Sequence, residues 1–159
     1  MKINRLNHAV LYVRDATASA KFYCDVLGFV VVAEMPGGRA VFLKGNGSDN
    51  HHDLGLFSVG AQAGPTGAGR STVGMYHLAW EVDSIDSLAE AAVRLQDAGA
   101  MVGASDHGVS KSLYAHDPDG LEFEVLWTVP EESWGDAIHQ GMIAPLDLPA
   151  EVRRWSTAA

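Results

Sequence analysis

His8 and His77 are the residues from which the chemistry of this chain is read most directly. Each interrupts a short apolar run, LNHAVLYV (residues 6–13) for His8 and MYHLAWEV (75–82) for His77. Both runs have the composition of β-strands. Side chains alternate along a strand, so Leu6, His8, Val10 and Tyr12 share one face, and Met75, His77, Ala79 and Glu81 share another. A buried imidazole needs a partner for each ring nitrogen. One such residue is usually a satisfied core histidine, whereas two at equivalent places in a repeat invite a shared role. Glu124 stands in LEFEVLW (121–127), between Phe123 and Val125. An ionised carboxylate there is expensive unless it meets a cation. The plainer alternative puts Glu122 and Glu124 on the solvated face of an edge strand. Two neutral imidazoles and one carboxylate form a ligand set that holds Fe(II) or a similar divalent metal and leaves positions open.

The elements that must position these residues occur twice. After the first strand, DATASAKFYCDVLGF reads as a helix, with Asp15 as cap, Gly28 as stop, and Ala18, Phe22, Val26 and Phe29 at helical spacing. Three strand-like runs follow: FVVVAEM, RAVFLKG and HHDLGLFSV, with Gly37-Gly38 as a hairpin signal between the first two. Residues 59–73 are rich in Gly, Ala, Pro and Thr and read as a linker. The pattern then recurs. Ser84 caps a helix whose apolar stripe is Leu88, Ala91, Ala92 and Leu95 and whose stop is Gly99. AMVGAS, KSLYAHD and LEFEVLW complete the second copy, the last two joined by the turn Asp117-Pro118-Asp119-Gly120.

His77 minus His8 gives an offset of 69, and the same offset lays HDLGLF (52–57) over LEFEVL (121–126). The expected fold class is α+β, two β-α-β-β-β modules. Module one spans 5–58 and module two 74–127, within a domain of residues 1–129. Residues 130–159 form a tail, irregular with a short helical piece, that packs on the domain. The offset also pairs Glu124 with Gly55, so a fourth ligand is missing where symmetry would place one, and glycine is expected to leave space there.

Composition narrows the partners. The 159 residues carry 11 Lys and Arg against 20 Asp and Glu, a net charge of −9. The basic residues form no cluster, which argues against nucleic acid and anionic membranes. No run approaches the ~18 apolar residues of a membrane span. The single cysteine, Cys24, rules out a disulfide within the chain and suits a reducing compartment. With no signal-peptide pattern at the start, the expected location is cytoplasmic. A homo-oligomer is compatible with the sequence.

Three segments, LNHAVLYVRDATASAKFYCDVLGF, MYHLAWEVDSIDSL and YAHDPDGLEFEVLW, resemble the vicinal oxygen chelate superfamily of glyoxalases, bleomycin-resistance proteins and extradiol dioxygenases. The resemblance covers residues 5–127 and implies that the two modules form a curled mixed sheet around a metal site, with a divalent metal on His8, His77 and Glu124. Leu121 departs from the pattern, in which Asn is frequent after DPDG. Within the superfamily, NHHDLGLF and DHGVSKSLYAHDPDG are similar to type I extradiol ring-cleaving dioxygenases. That similarity implies an acid–base role for His52 and substrate contacts for His107 and Tyr114. The spacing from His107 to Tyr114 is two residues shorter than in that pattern. It further implies Fe(II), with Mn(II), Zn(II) or Ni(II) as alternatives, and a catecholic aromatic substrate cleaved with O₂. Phe42, Leu54 and Trp80 are candidates for the aromatic slot. Two other roles occur on the same fold. One is a metal-dependent lyase, isomerase or transferase, and the other is a non-catalytic protein that sequesters an aromatic drug.

Overall fold

The computed structural model describes residues 1–69 and 71–156. Arg70, in the expected linker, and residues 157–159, at the end of the expected tail, lie outside the described residues. The chain divides into two compact units, Met1–Thr66 and Gly67–Ala159. Each contains one β-α-β-β-β module.

In the first unit β1 (Ala9–Val13) leads to α1 (Ala16–Leu27), then β2 (Val30–Glu34), β3 (Ala40–Lys44) and β4 (Leu54–Ser58). The strands form a four-stranded mixed sheet in the order β1-β4-β3-β2. β1 runs parallel to β4, and the other pairs are antiparallel. Asp15 caps α1 by accepting from the amides of Thr17 and Ala18, and Gly28 closes it at φ 72°. The buried stripe is Ala16, Ser19, Ala20, Tyr23 and Val26. Of the expected stripe, Val26 and Phe29 are buried, whereas Ala18 is exposed and Phe22 only half-buried, which is a correction. Ala16, Ser19 and Ala20 are the small residues that let the helix lie close to the sheet.

The second unit repeats the plan with β5 (Leu78–Glu81), α2 (Ile85–Asp97), β6 (Met101–Asp106), β7 (Ser110–His116) and β8 (Glu122–Thr128), in the sheet order β5-β8-β7-β6. Ser84 caps α2 through the Ser87 amide, and the helix buries Ile85, Leu88, Ala91, Ala92 and Leu95. Beyond β8, two short 3-10 turns (Glu131–Ser133 and Gly135–His139) lead to α3 (Leu148–Trp155), capped by Asp147. Asp106 forms a β-bridge with Ala144, and the Trp127 and Trp155 rings lie 5.8 Å apart.

The two sheets share a register. Val10 pairs with Gly55, and Ala79 with Glu124, so both partners move by the same 69 residues. Both edge pairs also carry a register shift, between Val31 and Ala33 in one and Met101 and Gly103 in the other. On each sheet one face is core. Leu11, Val13, Leu43, Leu54 and Leu56 are buried in the first unit, and Leu113, Phe123 and Val125 in the second. Burying each large side chain contributes roughly 1.5–3 kcal/mol. The opposite faces, with Val10 half exposed and Tyr12 exposed, are left for other work.

β1 and β5 begin at Ala9 and Leu78, later than the expected 6–13 and 75–82. His8 and His77 therefore stand just before their strands. The reason is the partner: β4 starts only at Leu54, so residues 6–8 have no strand to pair with. Asp53 instead organises this end. Its amide donates to Leu43 O at 2.8 Å, and its carbonyl accepts from Ala9 N at 2.9 Å. Its carboxylate accepts from Gly45 N, Ser48 Oγ and Asn50 Nδ2 at 2.8, 2.8 and 2.7 Å. Asn50 Nδ2 also donates to Asn7 O at 2.8 Å, which fixes the residue before His8. Partial burial pushes the Asp53 carboxyl up, but the bonds from Asn50, Gly45 and Ser48 outweigh it and hold the group below the usual carboxylate range.

A carboxyl depressed in the folded state stabilises the fold above its unfolded pKa of about 3.9, and that stability is lost as pH falls through the lower folded value. Asp53→Ala should therefore cost roughly 1–3 kcal/mol in urea unfolding at neutral pH. The gap to the unmodified chain should narrow below about pH 4. A gap that stays constant down to acid pH would remove the ionised carboxylate from this account.

Candidate metal and acid–base site

His77 and Glu124 meet within the second unit. Glu124 comes from β8, on the face opposite Phe123 and Val125, and is only 8% exposed. Its Oε2 lies 3.2 Å from His77 Nε2. The other ring nitrogen, Nδ1, is buried without a hydrogen-bond partner, and Glu122 Oε1 stands 3.7 Å from it. Two donors each about 2.0–2.2 Å from one metal, at angles near 90–109°, lie roughly 3.0–3.5 Å apart. The His77–Glu124 separation falls in that range. A ligating histidine normally donates its second N–H to a carboxylate or carbonyl, and Glu122 is the carboxylate on that side. The residues present therefore fit a divalent metal. Glu122, passed over in the sequence, was findable by alternation, because it shares a face with Glu124. Among the described residues no three His, Cys, Asp or Glu side chains are gathered as one metal-holding group.

Tyr114 on β7 is the cross-strand partner of Glu124. Its ring centroid is 5.9 Å from that of His77, and its hydroxyl oxygen is 2.8 Å from His107 Nε2. Burial pushes the phenol pKa up, and the charges of Glu124, Tyr76 and Glu122 push the same way against a hydrogen bond with Ser105. Tyr114 therefore stays protonated at neutral pH. His107 heads the β6–β7 turn, and its Nδ1 is 2.9 Å from the Met142 carbonyl. The turn is pinned by Asp106, whose Oδ1 accepts from Gly108 N at 2.7 Å and from Lys111 Nζ at 2.6 Å. Thus the shorter His107-to-Tyr114 spacing still brings the two side chains into contact. Ser105 and Met142 were invisible as site residues: one is a common strand residue, and the other contributes a backbone carbonyl.

In the first unit, His8 is exposed and its Nδ1 lies 2.8 Å from Asn7 Oδ1. The His8 and His52 rings are 4.5 Å apart, and Phe42 meets the His52 ring edge-on at 5.3 Å. Simple alternation puts His52 with Leu54, away from Gly55. The chain bends at residues 51 and 53, before β4 begins, and the Asp53 clamp holds that bend. The bend turns His52 to the side of Phe42, which pairs with Gly55. Burial, and the neighbouring His8 and His51, lower the His52 pKa, while Asp53 opposes them. His52 therefore favours the neutral imidazole.

A Cβ on Gly55 would rest in ordinary van der Waals contact with Val10 Cγ2 at 3.5 Å and Phe42 Cδ1 at 3.6 Å. One expectation needs correction. Leu54 is fully buried in the core and cannot line a slot. Trp80 pairs with Val125, on the core side of its sheet, whereas Phe42 does face His52.

Residues 5–125 match the model of the Glyoxalase/Bleomycin resistance protein/Dioxygenase superfamily. The chain is 36% identical over 138 residues to biphenyl-2,3-diol 1,2-dioxygenase 3 of Rhodococcus globerulus, covering 81% of this chain and 67% of that protein. It is 32% identical over 129 residues to catechol-2,3-dioxygenase of Bacillus subtilis (strain 168), covering 81% of this chain and 43% of that protein. The chain thus spans less than half the length of the second relative. Among solved structures, a glyoxylase/bleomycin resistance protein/dioxygenase domain from Frankia sp. EAN1pec superposes with a TM-score of 0.66 at 21% identity, covering 87% of this chain and 100% of that one. Among the described residues no helix is long and apolar enough to cross a membrane. With its duplicated module, its shared strand register and a family match that runs through both copies, this chain belongs to the glyoxalase/bleomycin resistance/dioxygenase superfamily.

Proposed function

We propose that this protein is a divalent-metal-dependent dioxygenase that opens a catecholic ring beside its two hydroxyls, and that His8, His77 and Glu124 hold the metal, Fe(II) before Mn(II), Zn(II) or Ni(II). The observation that carries this reading is the buried Glu124 carboxylate 3.2 Å from His77 Nε2, on the same sheet face as the Tyr114–His107 pair. The relatives' names support the substrate class, since both are dioxygenases named for ring diols. His8 is assigned by its equivalence to His77 at the 69-residue offset.

A bound metal supplies Lewis acidity, which eases loss of a substrate hydroxyl proton, and a template that holds substrate and O₂ side by side. The protein's own groups do the rest. Tyr114, kept protonated by its surroundings, donates a hydrogen bond to a substrate oxygen or passes its proton to His107. His107 Nε2 accepts that proton. His52, neutral and close to Phe42, is the acid–base group for the oxygen side of the reaction. Phe42 offers a ring edge against which an aromatic substrate packs.

Glu124→Ala should abolish tight binding of Fe(II) or Mn(II) in a calorimetric titration, because it removes the carboxylate donor. Glu122→Ala should weaken it by roughly 10–100-fold, the usual effect of losing an outer partner of a ligating histidine. Unchanged affinity in Glu124→Ala would sink the ligand assignment. His52→Phe in the iron-loaded protein should leave catechol binding in place and slow ring cleavage by roughly 10²–10⁴-fold. Oxygen uptake over a panel of catechols reads this directly. No uptake with any catechol by the unmodified, iron-loaded chain would favour the lyase or binding-protein roles of this fold.

A further inference from the structure

The segment that follows β8 crosses back over the β6–β7 turn that carries His107. Asp106 and Ala144 exchange both backbone hydrogen bonds, Asp106 N to Ala144 O at 2.8 Å and Ala144 N to Asp106 O at 2.9 Å. Two residues before Ala144, the Met142 carbonyl lies 2.9 Å from His107 Nδ1. Gly108, at φ 78°, makes room for this crossing: a Cβ there would sit 3.0 Å from Ala137 Cβ and 3.4 Å from Met142 Cε. The far end of the segment is anchored too. Lys111 is only 5% exposed, and its Nζ lies 2.6 Å from Asp106 Oδ1 and 3.6 Å from Glu151 Oε2 of α3. Trp155 Nε1 donates to Glu151, and Ser156 Oγ donates to Asp86 of α2, both at 2.9 Å.

A carbonyl oxygen only accepts, so the proton between Met142 and His107 belongs to Nδ1. In a neutral imidazole Nε2 is then the acceptor. Tyr114, 2.8 Å away, must donate to it.

We propose that residues 135–144 are a positioning strap whose Met142 carbonyl locks His107 in the Nδ1–H form, so that Nε2 always faces Tyr114 as a proton acceptor. Met142 acts through His107 and touches no reacting atom. The tautomer assignment stands on geometry alone. Its mechanistic meaning rests on the dioxygenase reading above: a substrate hydroxyl proton moves to the Tyr114 oxygen as the Tyr114 proton moves to Nε2. That leaves a substrate oxyanion and an imidazolium whose Nδ1–H still bonds Met142.

The test uses the whole 159-residue chain, metal-free and ¹⁵N-labelled, at a pH where its imidazoles are neutral. Two-bond ¹H–¹⁵N correlations distinguish a protonated from an unprotonated ring nitrogen. His107 should show a protonated Nδ1 and a bare Nε2. Ala144→Pro removes the amide that bonds Asp106 and should release the strap, giving a tautomer mixture or the Nε2–H form. Gly108→Ala, which collides with Ala137, should do the same if Ala144→Pro does not fold. Ser105→Ala should leave the tautomer unchanged. An Nε2–H signal in the unmodified chain overturns the proposal. So does a retained Nδ1–H signal in a folded variant whose residues 142–144 have lost amide-exchange protection. The readout is independent of ring cleavage. A correct tautomer with no activity on any catechol would remove the dioxygenase reading and keep the strap.

Discussion

In each module the first strand lies parallel to the last, and the register of that pairing decides what the sheet can do. Val10 sits opposite Gly55 in one module and Ala79 opposite Glu124 in the other. A strand's faces alternate with period two, so a slip of one residue would exchange core and open faces along the whole strand. Glu124 would then enter the layer now filled by Phe123 and Val125, where its charge has no partner. The apolar residues on the helix side thus hold the carboxylate on the other side. The histidine two positions before Ala79 follows from the same register. His77 extends the line of β5 ahead of its first paired residue, Leu78, and reaches Glu124 from there.

The modules keep one frame and differ in what it carries. Phe42 pairs with Gly55, and Tyr114 with Glu124, so an apolar ring beside a glycine in the first copy becomes a phenol beside a carboxylate in the second. Val10 and Phe42 flank the glycine. The first copy instead contributes imidazoles, since His8, His51 and His52 lie together at one end of its sheet. That end is held by Asp53 through Gly45, Ser48 and Asn50 rather than by strand pairing. Polar bonding there does what hydrophobic register does in the second copy: it aims a side chain that alternation alone would have sent elsewhere.

This division explains what could be read from the sequence. Element order, the caps at Asp15 and Ser84, and the stripe of α2 follow from local chemistry, and the structure has them. The stripe of α1 is legible at Val26 and Phe29 but not in the first half of the helix. Ala16, Ser19 and Ala20 are too small to mark a buried face by size, while Phe22 draws the eye to a flank. The strand starts were placed too early because His8 and His77 continue an apolar pattern that has run out of partners. The aim of His52 depends on three hydrogen bonds from the preceding loop to its neighbour Asp53, which no periodicity encodes. The Met142 contact uses a carbonyl that every residue possesses, so nothing in the side-chain sequence could have marked it.

The His77–Glu124–Glu122 arrangement has an electrostatic consequence of its own. With a proton on Nε2, His77 donates to Glu124, but its bare Nδ1 then faces the Glu122 carboxylate, acceptor against acceptor. With the proton on Nδ1, that nitrogen faces Glu122 favourably, and two lone pairs, from Nε2 and Glu124 Oε2, confront each other at 3.2 Å. Each neutral form leaves one contact repulsive. A cation between Nε2 and Oε2 resolves both, because it takes the two lone pairs while Nδ1–H turns to Glu122. The metal proposed for this site would therefore sit where both neutral forms of His77 are frustrated, with Glu122 as the outer partner of Nδ1–H.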